Sequence, residues 1–147
     1  MWSFKEFTYD SSTDTGLVMK CVLDNLEPGT QYDLKVITID RLSNKSSTNN
    51  EVISFYTLPE VPVVTSTTIN KNTLTANWEL PSGNYYKAIL WFNGIPVLQF
   101  KPGDSELPTT FTFEDLQTNS NMLYSFNLRF YNLDGTYSEC LKSIRIP

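Results

Sequence analysis

Apolar residues recur at every second position along most of this chain, with polar residues between them. Tyr32, Leu34 and Val36 alternate with charged or polar neighbours, and the same alternation runs from Tyr124 to Phe130. A period of two is typical of strands that bury one face. No window has a sustained helical pattern, and Gly, Pro and Asn-Ser clusters interrupt the alternation at short intervals. The pattern therefore predicts an all-β protein.

The C-terminal part of the chain can be divided into seven strands by this alternation and its turn signals. The strand that ends at Trp78 has an alternating pattern, and Asn132 to Gly135 have the composition of a hairpin turn. We predict strands over residues 63–68, 73–78, 85–92, 96–101, 109–116, 123–131 and 140–146, with 96–101 at a sheet edge.

One short motif occurs twice. Leu26 is followed by Pro28-Gly29 and then by Tyr32, which opens a strand; Leu116 is followed by Tyr124, which opens another. The two leucines lie 90 residues apart and the two tyrosines 92. This motif resembles the corner between two strands of a fibronectin type III domain, and Trp78 occupies the place of that family's buried tryptophan. The second copy departs from the family because residues 117–121 replace Pro-Gly and lengthen the corner by two residues.

The resemblance implies an immunoglobulin-like β-sandwich of fibronectin type III type, in two tandem modules. Residues 1–59 would form a partial module of C-terminal strands only, and residues 60–147 a complete one. Three explanations of the partial module remain open: the chain is part of a longer multi-module protein, another chain supplies the missing strands, or residues 1–59 form a smaller sheet docked on the second module. Without its partner strands the first module would expose an apolar inner face, which comprises Met19, Cys21, Leu23, Tyr32, Leu34 and Val36.

The linker between the two modules is predicted at residues 58–62. It contains two prolines, Pro59 and Pro62, and proline fixes φ and favours an extended, semi-rigid connection.

Composition excludes several function classes. The chain has 16 acidic and 11 basic side chains, and the basic ones are scattered, so nucleic-acid binding is not expected. It contains no histidine, which removes the commonest general base and the commonest metal ligand. No cofactor and no catalytic residue is predicted. No apolar stretch is long enough to span a bilayer, and the N-terminus lacks the pattern of a signal peptide.

The two cysteines, Cys21 and Cys140, fall in different predicted modules. A bridge within one module is therefore excluded, and we expect two small, buried or half-buried thiols. The sequence contains one glycosylation sequon, at Asn44.

A candidate binding face follows from the predicted alternation of the third and sixth strands. The resemblance implies, by the family's Tyr-x-Val-x-Tyr pattern, that Tyr86, Ala88 and Leu90 point inward, and the outward residues then include the types that carry interface energy. A slip of one residue would bury that face, and packing against a neighbouring module would cover it. The candidate binding face consists of Tyr85, Ile89, Trp91, Arg129 and Tyr131.

The resemblance implies a non-catalytic structural or adhesive module of a larger protein, outside the cell or at a surface. Its partners would be other modules of the parent chain or another protein. Two alternatives stay open: an accessory carbohydrate-binding or spacer module of an enzyme, or a virion or appendage subunit assembled by strand sharing. An intracellular scaffold is a further alternative for its location.

Overall fold

The computed structural model describes residues 22–40, 45–46, 51–118 and 121–146. These residues form strands and no helix, so the all-β prediction is confirmed. No helix that could cross a membrane is found among them. The strands are β1 (Gln31–Lys35), β2 (Ile39–Asp40), β3 (Lys45–Ser46), β4 (Val52–Tyr56), β5 (Val64–Asn70), β6 (Thr73–Trp78), β7 (Lys87–Phe92), β8 (Ile95–Phe100), β9 (Thr110–Phe113), β10 (Leu123–Tyr131) and β11 (Tyr137–Arg145).

The last seven strands, β5 to β11, form two antiparallel sheets around one core, as in a β-sandwich. One sheet has the order β11-β10-β7-β8 and the other β5-β6-β9. Their inner faces meet through aromatic rings: Phe113 of β9 lies 4.5 Å from Phe92 and 5.7 Å from Phe126 between ring centroids. Trp78 is buried, as the resemblance implies, and its ring stacks on that of Phe100. We call residues 64–146 the sandwich.

All seven predicted strands of the sandwich are formed, with ends that differ from the prediction by up to three residues, as where β9 ends at Phe113 rather than at residue 116. Residues 73–78 and 123–131 form strands with the predicted bounds, and β8 lies at a sheet edge. The last strand begins at Tyr137 rather than at residue 140. The preceding turn is tight, because the Asn132 N–H donates to the Thr136 carbonyl at 2.8 Å and Gly135 has a φ of 90°.

The first strands form a smaller unit, which we call the N-terminal hairpin (residues 22–58 where described). β1 pairs with β4, and Tyr32 stacks on Phe55 with ring centroids 6.0 Å apart. Its apolar face is only partly covered: Val36 is 57% and Ile53 55% exposed. The resemblance implies a strand that ends at Leu26, but none is formed over residues 22–26, and Met19 and Cys21 lie outside the described residues.

The two corners have the same local structure. The Tyr32 hydroxyl accepts a hydrogen bond from the Glu27 N–H at 2.9 Å, and the Tyr124 hydroxyl accepts one from the Gln117 N–H at 2.8 Å. In both corners the residue just before the leucine has a left-handed backbone: Asn25 has a φ of 57° and Asp115 a φ of 56°. Asn and Asp adopt this conformation more readily than most residues. The repeat read from the sequence is therefore also a repeat of local geometry.

Polar contacts join the hairpin corner to a loop of the sandwich. The Asn84 N–H donates to the Pro28 carbonyl at 3.3 Å, and the Asn84 side-chain amide donates to Thr30 Oγ1 at 2.8 Å. The backbones approach so closely that a Cβ on Gly29 would lie 1.7 Å from the Asn84 carbonyl oxygen. Glycine is therefore required at position 29, where φ is also positive, at 61°.

The linker is tied to the sandwich by a second set of contacts. The buried Asn132 donates from Nδ2 to the Thr57 carbonyl at 2.8 Å, and the buried Ser138 hydroxyl donates to the Pro59 carbonyl at 2.5 Å. The Glu60 carboxylate accepts hydrogen bonds from the Ser82 hydroxyl and N–H, and the pKa of Glu60 is lowered chiefly by that hydroxyl. We call both sets of contacts together the joint.

Candidate functional site

The outer face of the four-stranded sheet brings most of the candidate residues together. Ala88, Leu90, Leu128 and Phe130 point into the core and are buried, so their neighbours in β7 and β10 point outward. In the register of these strands Ile89 lies opposite Arg129, Trp91 opposite Asn127, and Lys87 opposite Tyr131. Strand β11 adds two further residues, since Glu139 pairs with Arg129 and Tyr137 with Tyr131. The outer-face cluster is defined as Trp91, Arg129, Tyr131, Tyr137 and Glu139.

Arg129 is the centre of this cluster. Its guanidinium carbon lies 4.5 Å from the centroid of the Tyr137 ring and 5.5 Å from that of Trp91. Its Nε donates to a Glu139 carboxylate oxygen at 3.1 Å, and Nη1 donates to the Tyr131 hydroxyl at 3.3 Å. Arginine suits such a site because its planar charge stacks on rings and also donates in its own plane. The side chain is thus fixed on several sides.

Two neighbours complete the hydrogen bonding. The Trp91 indole N–H donates to the Tyr131 hydroxyl at 3.2 Å, and Asn127 Nδ2 donates to Glu139 at 2.8 Å. The hydrogen bond from Asn127 lowers the pKa of Glu139, and the charge of Arg129 adds to this effect. The hydrogen bond to Tyr131 is the main cause that raises the pKa of Arg129. Both charged groups therefore keep their charge across the neutral range and neutralise one another.

Tyr85 does not belong to this face, and its predicted outward orientation is wrong. Its ring packs inward, with centroids 5.4 Å from Phe130 and 6.5 Å from Phe100. Burial raises the pKa of Tyr85, with a smaller contribution from the Asp104 charge. The predicted inward orientation of Tyr86 is also wrong, since this residue is exposed. The reason is that β7 begins only at Lys87, so residues 85 and 86 precede its alternation.

Ile89 and Asn44 have different outcomes. Ile89 lies on the outer side of β7 but is only 9% exposed, between Gln99 of β8 and Arg129 of β10. It can support a contact surface but offers little area of its own. Asn44, the predicted glycosylation site, lies outside the described residues.

Cys140 has a free, half-buried thiol, and Cys21 lies outside the described residues.

Sequence reasoning missed Tyr137 and Glu139. Both belong to β11 but precede residue 140, where the last strand was predicted to begin. The period of two could have identified them, because counting back from Leu141 puts 139 and 137 on the outer face. Lys87 lies in the predicted third strand but was not included in the candidate face, and its ammonium lies 5.6 Å from the centroid of the Tyr131 ring.

A shallow concavity adjoins the outer-face cluster. It has a volume of about 390 Å³. Its lining includes Asn127, which is 8% exposed and whose Oδ1 has no hydrogen-bond partner among the described residues. Such a size lies at the lower end of small-ligand sites. In the described part of the chain, no three Asp, Glu or Cys side chains lie close enough together to hold a metal ion. The lining residues are Trp91, Asn93, Gly94, Ser125, Phe126, Asn127, Arg129, Glu139 and Leu141.

Comparisons with known proteins assign no family to this chain. No protein-family model matches it, and no curated protein matches it. Among solved structures, it is similar to the spore cortex lytic enzyme SleM of Clostridium perfringens, with 10% sequence identity and a TM-score of 0.47. The match covers 62% of this chain and 29% of that enzyme. At this score and identity the likeness supports no statement about fold family or activity.

Proposed function

We propose that this chain is a non-catalytic connector of fibronectin type III type, part of a larger protein, that acts through protein–protein contacts. The two corners support this reading. A tyrosine hydroxyl that accepts a backbone hydrogen bond a few residues upstream is typical of immunoglobulin-like sandwiches. Here it occurs at Tyr32 and at Tyr124. In both corners the residue before the leucine has a left-handed backbone. The N-terminal hairpin would then be the last strand pair of a first module.

The observation that carries the proposal is the joint. A flexible tether needs only a linker, whereas here side chains of the sandwich bind the linker and the hairpin corner directly. Asn132 and Asn84 each contribute a side-chain donor to backbone or hydroxyl oxygens across the joint. Pro59 and Pro62, both buried, stiffen the linker itself. A connector that holds a fixed angle between neighbouring units would have these features.

The test is a distance measurement across the joint. Two spin labels would be attached to cysteines introduced by Asp33→Cys and Ser105→Cys, in a chain that also carries Cys21→Ser and Cys140→Ser. Pulsed electron paramagnetic resonance would then report the distance between the hairpin and the sandwich. The proposal predicts one narrow distribution. The Asn132→Ala/Ser138→Ala variant should broaden it, and Ser143→Ala, an exposed serine on β11, should leave it unchanged. A broad distribution before any joint substitution would contradict the proposal.

Within this function, the outer-face cluster is the proposed contact surface for a protein partner. Its Trp, Tyr and Arg side chains are the types most often found at interface hot spots. The stacking of Arg129 fixes these side chains before a partner arrives, so binding would cost less conformational entropy. We expect Trp91→Ala to weaken binding of a neighbouring module or partner protein by at least about tenfold, which corresponds to about 1.4 kcal/mol.

A second candidate function is glycan binding at the concavity beside Trp91. One observation favours it: a site of about 390 Å³ whose two charges, Arg129 and Glu139, are paired with each other. A neutral, hydroxyl-rich ligand suits such a site, and sugar rings stack on aromatic faces. Isothermal titration calorimetry with soluble polysaccharides would separate the two functions. Saturable binding that Trp91→Ala abolishes and Val97→Ala preserves would support glycan binding. If no polysaccharide binds, protein–protein contact is the function that is retained.

A further inference from the structure

Four strands lie at the edges of the two sandwich sheets, and three of them have features that discourage pairing with another strand. Strand β8 contains Pro96, and its register with β7 shifts between Leu90 and Trp91. The register of strand β5 with β6 shifts between Val64 and Ser66, which indicates a bulge. Strand β9 has only four residues. Proline, bulges and short length are the usual protections of a sheet edge against intermolecular pairing.

Strand β11 is the exception. It is nine residues long, contains no proline or glycine, and pairs with β10 in continuous register over its whole length. Its other edge pairs with no strand among the described residues. Its outward side chains include Leu141, which is 61% exposed. A long, regular edge with an exposed apolar side chain at its middle is suited to the addition of another strand.

We propose that β11 is a self-association edge, which pairs antiparallel with β11 of a second copy of this chain. The choice of a second copy as the partner follows from the order of residues in β11. A two-fold axis at Leu141, the central residue, aligns all nine residues and places Leu141 opposite Leu141 of the second copy. In this register Glu139 faces Ser143, Cys140 faces Lys142, and no like charges are opposed. The nearby registers are worse: an axis at Lys142 opposes two lysines, an axis at Glu139 opposes two glutamates, and an axis at Cys140 aligns only seven of the nine residues.

The paired edges would create one continuous sheet of eight strands, four from each copy. The two-fold axis stands perpendicular to this sheet, so both outer-face clusters lie on the same side of it. Two copies of one contact surface, held in fixed positions, can bind a repetitive or dimeric partner more tightly than one copy can. This consequence depends on the proposed contact surface, whereas the self-association itself does not.

The test is sedimentation of the 147-residue chain over a range of concentrations. The proposal predicts a monomer–dimer equilibrium that Leu141→Lys weakens by about tenfold or more, because two lysines then face each other where two leucines met. Leu141 is exposed, so this variant should fold, which circular dichroism would check. The matched control is Leu133→Lys, since Leu133 is 64% exposed in the hairpin turn away from this edge; it should leave the equilibrium unchanged.

A cross-linking experiment tests the register. In a Cys21→Ser/Cys140→Ser chain, Leu141→Cys should form a disulfide-linked dimer under mild oxidation, because directly opposed residues lie about 4.5–5.5 Å apart between Cα atoms. Ser143→Cys should not, because its counterpart lies about 13 Å away along the strands. A chain that stays monomeric at every concentration, a dimer indifferent to Leu141→Lys, or equal cross-linking at both positions would overturn the proposal.

Discussion

The sandwich and the N-terminal hairpin have the same corner but differ in what surrounds it. Tyr124 is 6% exposed and contacts a core built from two sheets, whereas Tyr32 is only half-buried and stacks on one ring, Phe55. Among the described residues, the buried side chains of the hydrophobic core all lie between Leu74 and Ile146. The comparison shows that a short sequence motif is sufficient for corner geometry, but that burial requires a second sheet.

This difference also explains the importance of the joint. A two-stranded hairpin is marginal in water by itself, because it has too little apolar surface to bury. The hairpin described here is attached to the sandwich by backbone and side-chain hydrogen bonds at Pro28, Thr30 and Thr57. We therefore expect its order to depend on the sandwich, and the order of the sandwich to depend little on the hairpin.

The largest expected effect comes from a matched pair of leucines. Leu128 is fully buried in β10, and Leu34 is half-buried in β1. Leu128→Ala should lower the free energy of unfolding of the sandwich by about 2–5 kcal/mol, because it leaves a cavity. Leu34→Ala should lower it by less than about 1 kcal/mol. Urea unfolding followed by the fluorescence of Trp78 and Trp91 would measure both. Equal losses would show that the hairpin shares the core.

The next largest effect should come from Gly29, where a substitution disturbs the contact between hairpin and sandwich but not the core of the sandwich. Gly29→Ala puts a methyl group onto the Asn84 carbonyl oxygen and forces Ala into a left-handed backbone, which costs about 1–3 kcal/mol. We expect faster amide exchange at residue 29 and at Asn84, with the sandwich intact. Gly103→Ala is the control, since its φ of 94° gives the same strain without a contact within 4 Å. Similar behaviour of both variants would refute the role of the close approach.

A smaller effect is expected at the corners themselves. Tyr124→Phe removes a hydrogen bond beside the core and should reduce stability by about 1 kcal/mol. Tyr32→Phe removes the equivalent bond where water can replace it, and the loss should be at most about 0.5 kcal/mol. Thermal unfolding of the two variants checks the order. A larger loss for Tyr32→Phe would mean that the hairpin corner organises the joint more than we infer.

The smallest expected effect is the loss of stability at acidic pH. The pKa values of Glu60, Asp134 and Glu139 are lowered in the fold, each chiefly by a hydrogen bond: from Ser82, Thr136 and Asn127 respectively. A lowered pKa contributes stability that is present above the unfolded-state value and lost as pH falls through the folded-state value. We expect stability to decrease below about pH 4.5, near the ordinary pKa of Glu. Glu139→Gln should make this decrease shallower, and urea midpoints at several pH values would show it.

Much of the sandwich could be predicted from the sequence because its strands alternate regularly and end at recognisable turns. Residues 73–78 and 123–131 are correct to the residue. The orientation of Tyr85 was predicted wrongly because this residue lies two positions before β7, where the alternation no longer fixes the direction of a side chain. The joint was not predictable, since its hydrogen bonds connect residues far apart in sequence, such as Asn132 and Thr57. The stacking around Arg129 needed the register of β11, which the sequence prediction began three residues too late.

The most direct test of the central claim is amide hydrogen exchange, read residue by residue by NMR on the 147-residue chain. If the hairpin is fixed to the sandwich, the amides of Glu27, Thr57 and Asn84 should be protected well above the random-coil rate, though less than those of β10. Exchange of these three amides at the random-coil rate, with β10 fully protected, would contradict the claim that the chain is a fixed connector.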